Sequence, residues 1–193
     1  MKHFSASKLS SALLGLSLLV SQVAFAAAAN TGKVAQADSD SMAEAIFKGN
    51  SKQVQALKKK GVSLDAVSSS NTTGLMQLAE EGRLAEIKKI VAQGAKVDKT
   101  NADGETALFS ATYSGHDDIA LFLLSKGAKA DHVNKSTKEC VIHAAAKAQL
   151  TDLSKKLAAA APKCLKQKNV DGKTPADLAI ELGNPELAKI LKP

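Results

Sequence analysis

One spacing recurs along the chain and leaves few folds open. Thr73, Thr106 and Thr174 each stand nine residues before a glycine: Gly82, Gly115 and Gly183. In the first two copies a second glycine follows twelve residues later, Gly94 and Gly127, and the two threonines are 33 residues apart. Between the glycines the apolar residues sit at helical intervals: Ile87, Ile90 and Val91 in one copy, Ile119, Leu123 and Leu124 in the next. A period of this length marks stacked supersecondary units rather than one closed core.

Each unit reads as a short helix, a tight turn, a longer helix and a loop. The threonines fall at N-cap positions, where a hydroxyl satisfies an orphan backbone amide. Pro175 then occupies the first helical residue, where a missing amide costs nothing. The glycines fall where helices must stop. Asp103-Gly104 and Asp171-Gly172 mark tight turns in the connections. Two weaker copies extend the array. Gly49 and Gly61 are again twelve apart, with Val54 and Leu57 between them. Counting 33 from Thr106 reaches Glu139, so Glu139-Cys140-Val141-Ile142-His143-Ala144-Ala145 fills the opening motif, with Ala148 and Ala160 at the glycine positions. From Glu139 to Thr174 is 35 residues, which places a two-residue insertion near Pro162 to Gln167. Alanine and leucine dominate and tryptophan is absent, a composition that suits close helix packing better than sheet faces.

These residues resemble the ankyrin repeat, which has a period of 33 and the signature T-P-L-H-x-A. The resemblance implies an all-α solenoid of about five helix-turn-helix repeats with β-turn fingers, spanning residues 41–193. It also places Cys140 at the start of the fourth repeat's first helix and Cys164 after its second. In an antiparallel pair both then lie at one end. A Cys140–Cys164 disulfide would close about 25 residues and stabilise by ~3 kcal/mol. Two free thiols are the alternative.

Residues 1–26 read as a cleaved secretory signal: Lys2 and Lys8, an apolar run from Leu9 to Phe25, then small residues at Ala24 and Ala26. A membrane anchor is the competing reading, but the run is short of the ~20 residues that span a bilayer. Residues 27–40 are small and polar and read as a flexible leader. The mature chain is therefore expected in the periplasm. Loss of Lys2 and Lys8 lowers the formal charge from +7 to +5. The lysines are scattered and Arg83 is the sole arginine, unlike the gathered arginines of nucleic-acid readers.

No catalytic constellation, metal-ligand spacing or cofactor motif is recognisable, so an enzyme is not expected. Cys140 and His143 lie on adjacent helical turns, and a thiol–imidazole pair is conceivable, but no third group orients the imidazole. His116 follows a turn glycine, where this family often uses histidine as a brace. Asp117-Asp118 suits a helix N-terminus.

Such solenoids bind proteins through the finger tips and the exposed side of the first helices. By register the candidates are Thr100, Ala102, Asp103 and Glu105 in one finger, and Lys135, Ser136 and Lys138 in the next. On the helices they are Glu80, Glu81, Tyr113, Ser114, Ala146 and Lys147. Tyr113, the only tyrosine, is either a binding hot spot or a half-buried packing residue. The chain is similar to periplasmic ankyrin proteins of Gram-negative bacteria. One group of these protects predatory bacteria from their own exported peptidoglycan endopeptidases by binding them. Another accompanies periplasmic catalase in peroxide defence. The resemblance implies a protein partner, such as an exported peptidoglycan hydrolase, and a chain that is monomeric when free.

Overall fold

The computed structural model describes residues 34–193. The expected signal peptide lies outside the described residues. Within them the chain forms ten α-helices in five antiparallel pairs: α1 Gln36–Phe47 with α2 Ser51–Lys59, α3 Gly74–Glu80 with α4 Leu84–Ala92, α5 Ala107–Tyr113 with α6 Asp117–Ser125, α7 Val141–Lys147 with α8 Thr151–Ala160, and α9 Pro175–Glu181 with α10 Pro185–Leu191. Among the described residues there is no strand, only an isolated bridge between Val133 and Cys140. The fold is an all-α solenoid.

Local chemistry sets the boundaries. Thr73, Thr106 and Thr174 hold extended backbone, and their hydroxyls accept from the amides of Met76 (3.2 Å), Phe109 (3.3 Å) and Asp177 (3.2 Å). Four of the five first helices end in a left-handed glycine, Gly49, Gly82, Gly115 or Gly183, which turns the chain into the second helix. Gly82 is doubly constrained. Its φ is +74°, and a Cβ there would lie 2.7 Å from the His116 ring. That ring bridges repeats, with Nε2 3.0 Å from the Glu80 carbonyl oxygen. The histidine does brace the turn, and it braces the turn of the preceding repeat.

The first helix begins at Gln36, inside the segment read as a flexible leader. Gln36 Nε2 donates to Val67 O (3.1 Å), and Asp40 accepts from the Ser69 amide (2.5 Å). The extra turn is thereby tied to the second repeat's finger, which the composition of residues 27–40 did not reveal.

The fourth repeat follows a register one residue later than its sequence suggested. The N-cap is Cys140, not Glu139, and the left-handed turn residue is Gln149 (φ +56°), not Ala148. Nine residues separate Cys140 from Gln149, as in the other copies. The two-residue insertion is split. Finger closure joins Ser68 to Thr72, Asn101 to Glu105 and Asn169 to Lys173 by backbone hydrogen bonds, each four apart, whereas Asn134 closes on Glu139, five apart. The other extra residue falls in the α8 segment, whose helix has ten residues against nine in α4 and α6 and is followed by a 3-10 turn, Pro162–Lys166.

Consecutive first helices pack on one another, and an apolar core runs the length of the array. Leu75, Leu108 and Ile142 hold equivalent positions and are buried, as are Ile90, Leu123 and Leu157 in the second helices. One pair alone would leave such residues wet; stacking buries them on both sides. Full burial of each aliphatic chain contributes about 1.5–3 kcal/mol.

Candidate functional site

The fingers form one ladder. Asn101, Asn134 and Asn169 are buried at matching positions. Glu105 accepts from Asn101 Nδ2 (3.0 Å) in its own finger and from Asn134 Nδ2 (2.8 Å) in the next. Glu139 receives Asn169 Nδ2 (3.2 Å) and pairs with Lys147 (2.5 Å). Asn71 ties the second finger to the third, accepting from the Ala102 amide (2.8 Å) and donating to Asp103 (2.6 Å). Backbone bonds from Lys135 to Asp103 O (2.7 Å) and from Val170 to Thr137 O (2.9 Å) continue the ladder. The finger tips are therefore held as a fixed row, which limits the ordering cost of binding.

This ladder divides the candidate residues. Ala102, Lys135, Ser136 and Lys138 are exposed on the tips, as are Glu80, Glu81, Tyr113, Ser114 and Lys147 on the helices. Thr100, Asp103 and Glu105 are half-buried, and the carboxylates of Asp103 and Glu105 are engaged between fingers. Ala146 is fully buried, which corrects its placement on the exposed face. The one-residue shift of register explains this, because Ala146 aligns with Ala79 and Thr112, which are also fully buried.

Four candidates meet around one depression of about 130 Å³: Glu80, Glu105, Tyr113 and Ser114, joined by Phe109 and Ser110. Tyr113 is 63 % exposed and stacks on Phe109, with centroids 6.3 Å apart and planes 11° from parallel. The half-buried packing alternative for Tyr113 is thus set aside. Phe109 escaped the sequence reading, although its spacing of four from Tyr113 on a helix carried the signal. A larger groove of about 520 Å³ adjoins toward the first repeat, lined by Asp40, Glu44, Phe47, Ser69, Glu80 and Glu81 among others. The hydrogen bond from the Ser69 amide, followed by that from Gln36, holds the Asp40 carboxyl below its ordinary range.

Cys140 and Cys164 are both buried free thiols, so the expected disulfide is not formed in this structure. They do lie together at one end of the α7–α8 pair. The Cys140 thiol donates to the Cys164 carbonyl oxygen (3.9 Å), and the Cys164 thiol to the Ala130 carbonyl oxygen (3.8 Å). The neighbouring Cys164 side chain, then His143, draws the Cys140 thiol well below its usual range, while the Cys140 side chain and burial push Cys164 up. His143 Nδ1 lies 3.3 Å from the Cys140 sulfur and accepts from the Cys140 backbone amide (3.2 Å). Asp177 performs the same act on the Thr174 amide (2.8 Å) one repeat later. The Cys140–His143 contact is therefore a helix cap, with Cys140-Val141-Ile142-His143 filling the T-P-L-H signature. Among the described residues no group of three or more His, Cys, Asp or Glu is placed to hold a metal ion. No helix of the described residues is long and apolar enough to cross a membrane.

Stacked helix pairs with a rigid row of fingers beside an exposed helix face define a repeat solenoid of the binding class. The family model of ankyrin repeats, in three copies, matches residues 42–134, and that segment carries ankyrin repeats. The match ends at Asn134, where the fourth finger acquires its extra residue. Ankyrin repeats mark a protein–protein interaction module and are in general not catalytic. No curated protein matches the chain.

Proposed function

We propose that the chain is a periplasmic interaction module that binds and inhibits an exported enzyme, with a self-produced peptidoglycan hydrolase as the candidate. The observation that carries the binding surface is the exposed Tyr113–Phe109 stack between Glu80 and Glu105. An aromatic pair bordered by carboxylates and backed by a fixed ladder suits one anchoring side chain with a polar rim. The apolar run of residues 9–25 supports export, and the resemblance to periplasmic self-protection proteins supports the class of partner.

Capture from a periplasmic extract on the immobilised chain, read by mass spectrometry, tests the proposal. Recovery of a peptidoglycan hydrolase whose turnover falls on adding the chain agrees with it. Recovery of other proteins alone, or a hydrolase whose rate does not change, refutes the inhibitory role. Tyr113→Ala is expected to weaken the complex at least tenfold, about 1.4 kcal/mol, with an unchanged thermal midpoint.

A further inference from the structure

We propose that Cys140 and Cys164 form an oxidisable thiol pair that closes to an intrachain disulfide, joining the N-cap of α7 to the 3-10 turn after α8. The inference does not rest on the partner or on export. It starts from the only two cysteines in 193 residues being side by side, with relative exposures of 0 % and 4 %. Fourfold coincidence supports it. The Cys140 sulfur lies against the Cys164 backbone, both backbones are fixed, the surrounding repeat lacks the usual hydroxyl cap, and an imidazole stands against one sulfur.

The fixing is visible residue by residue. Cys140 is held by its bridge to Val133 and by its amide bond to His143. Cys164 is held within the 3-10 turn, its amide donating to Ala161 O (3.0 Å) and its carbonyl oxygen accepting from Gln167 (3.2 Å). Both cysteines thus sit in hydrogen-bonded backbone at one end of the helix pair. The reduced pair is also poorly satisfied. Besides His143 Nδ1 at 3.3 Å from Cys140, its sulfurs reach only distant carbonyl oxygens, Cys164 at 3.9 Å and Ala130 at 3.8 Å. His143 is wholly buried, and its Nε2 has no partner. Such a cluster is a costly way to fill a core unless the sulfurs have chemistry to do. Thr73, Thr106 and Thr174 cap the other first helices through a hydroxyl, whereas at position 140 a thiol stands in that place.

The oxidant is a low-molecular-weight disulfide. When the 162–166 turn opens, the Cys140 thiolate attacks one sulfur of the reagent, forms a mixed disulfide and expels one thiolate. Cys164 gives its proton to that leaving thiolate and attacks the Cys140 sulfur, expelling the second, which takes its proton from solvent. Two protein thiols become one disulfide, and the reagent disulfide becomes two thiols, with two electrons transferred. Burial slows the first step, because the turn must open before the reagent can reach sulfur.

The test uses the full chain and oxidised glutathione. In one arm the folded, reduced protein is incubated with the reagent; in the other the reduced, unfolded chain refolds in a glutathione redox buffer, so that access is not limiting. Both are quenched with N-ethylmaleimide in denaturant and weighed intact. The refolded arm is expected to yield a species lighter by about 2 Da than the dithiol, carrying neither maleimide nor glutathione. Non-reducing digestion should join the Cys140 and Cys164 peptides. C140S and C164S should each retain a single glutathione adduct, and only the wild type should lose thermal midpoint on adding reductant. Two maleimide-reactive thiols in the refolded arm, a persistent adduct on the wild type, or disulfide-linked dimers would each overturn the proposal.

Discussion

Gln149→Gly is expected to stabilise the protein, and the repeats themselves supply the control. Gln149 closes α7 with a φ of +56°, where Gly49, Gly82, Gly115 and Gly183 close their helices. The hydrogen bonds are the same in kind. Gln149 donates to Ala146 O (3.2 Å) and Leu150 to Ala145 O (3.0 Å), as Gly115 does to Thr112 O (3.2 Å) and His116 to Ala111 O (2.8 Å). Backbone conformation therefore carries the difference. Holding an L-residue in the left-handed region costs about 1–2 kcal/mol. Glycine gives back about 0.5–1 kcal/mol through the freedom of its unfolded chain. The net gain is about 0.5–1 kcal/mol, which for 150–250 residues raises the midpoint by about 1–4 °C. Scanning calorimetry and urea unfolding with an unchanged slope would read it. The reciprocal change separates strain from packing. Gly115→Gln meets open space and should lose only the conformational part, whereas Gly82→Gln also drives a Cβ against the His116 ring and should lose more. An unchanged or lowered midpoint for Gln149→Gly, or equal losses at Gly82 and Gly115, would refute the reasoning.

Two further outcomes follow from the caps. Thr106→Ala removes the acceptor for the Phe109 amide and should cost about 1 kcal/mol, with Thr106→Ser restoring most of it, measured by urea unfolding. The Thr174 amide, then its hydroxyl, holds the Asp177 carboxyl below its ordinary range. A depressed folded value means stability that is complete above the unfolded value, near pH ~4, and is lost as pH falls through the folded one. Asp177→Asn keeps an acceptor but does not titrate, so its midpoint should fall less steeply in acid than the wild type's.

The fold was legible because its punctuation is chemical. Threonine before a helix and glycine after it act within one turn, and three of the five units keep both. Finger closure was legible only where an Asp-Gly pair announced it. Asn71 and Lys138 hold the same left-handed position as Gly104 and Gly172, two residues before the N-cap, without the glycine that signals it. The helical first turn at Gln36 escaped for another reason. What stabilises it is Asp40 meeting Ser69 and Gln36 meeting Val67, pairings about thirty residues apart. Composition carries no trace of such a contact. The candidate face was read in part. Glu80, Tyr113 and Ser114 are exposed as the register requires, but the engagement of Asp103 and Glu105 between fingers depends on neighbouring repeats and could not be read from either alone.

The irregularities gather in one repeat, and that has a physical consequence. The fourth unit carries the extra finger residue, two non-glycine residues at positive φ, a thiol in place of a capping hydroxyl and the unpartnered nitrogen of His143. In a solenoid, stability is close to a sum of unit and nearest-neighbour terms, so a weak internal unit lowers the coupling between the parts on either side. Glu139 opposes this, bonding Lys147 within its repeat and Asn169 in the next finger, and the two cysteines lie where a covalent tie would oppose it further. Hydrogen exchange offers the check. Amides of α7 and α8 should exchange faster than those of α5 and α6 in the reduced protein, because strained caps open first. Equal protection along the array would mean that packing against the neighbours outweighs the local strain, and the fourth repeat would then be irregular in sequence but not in energy.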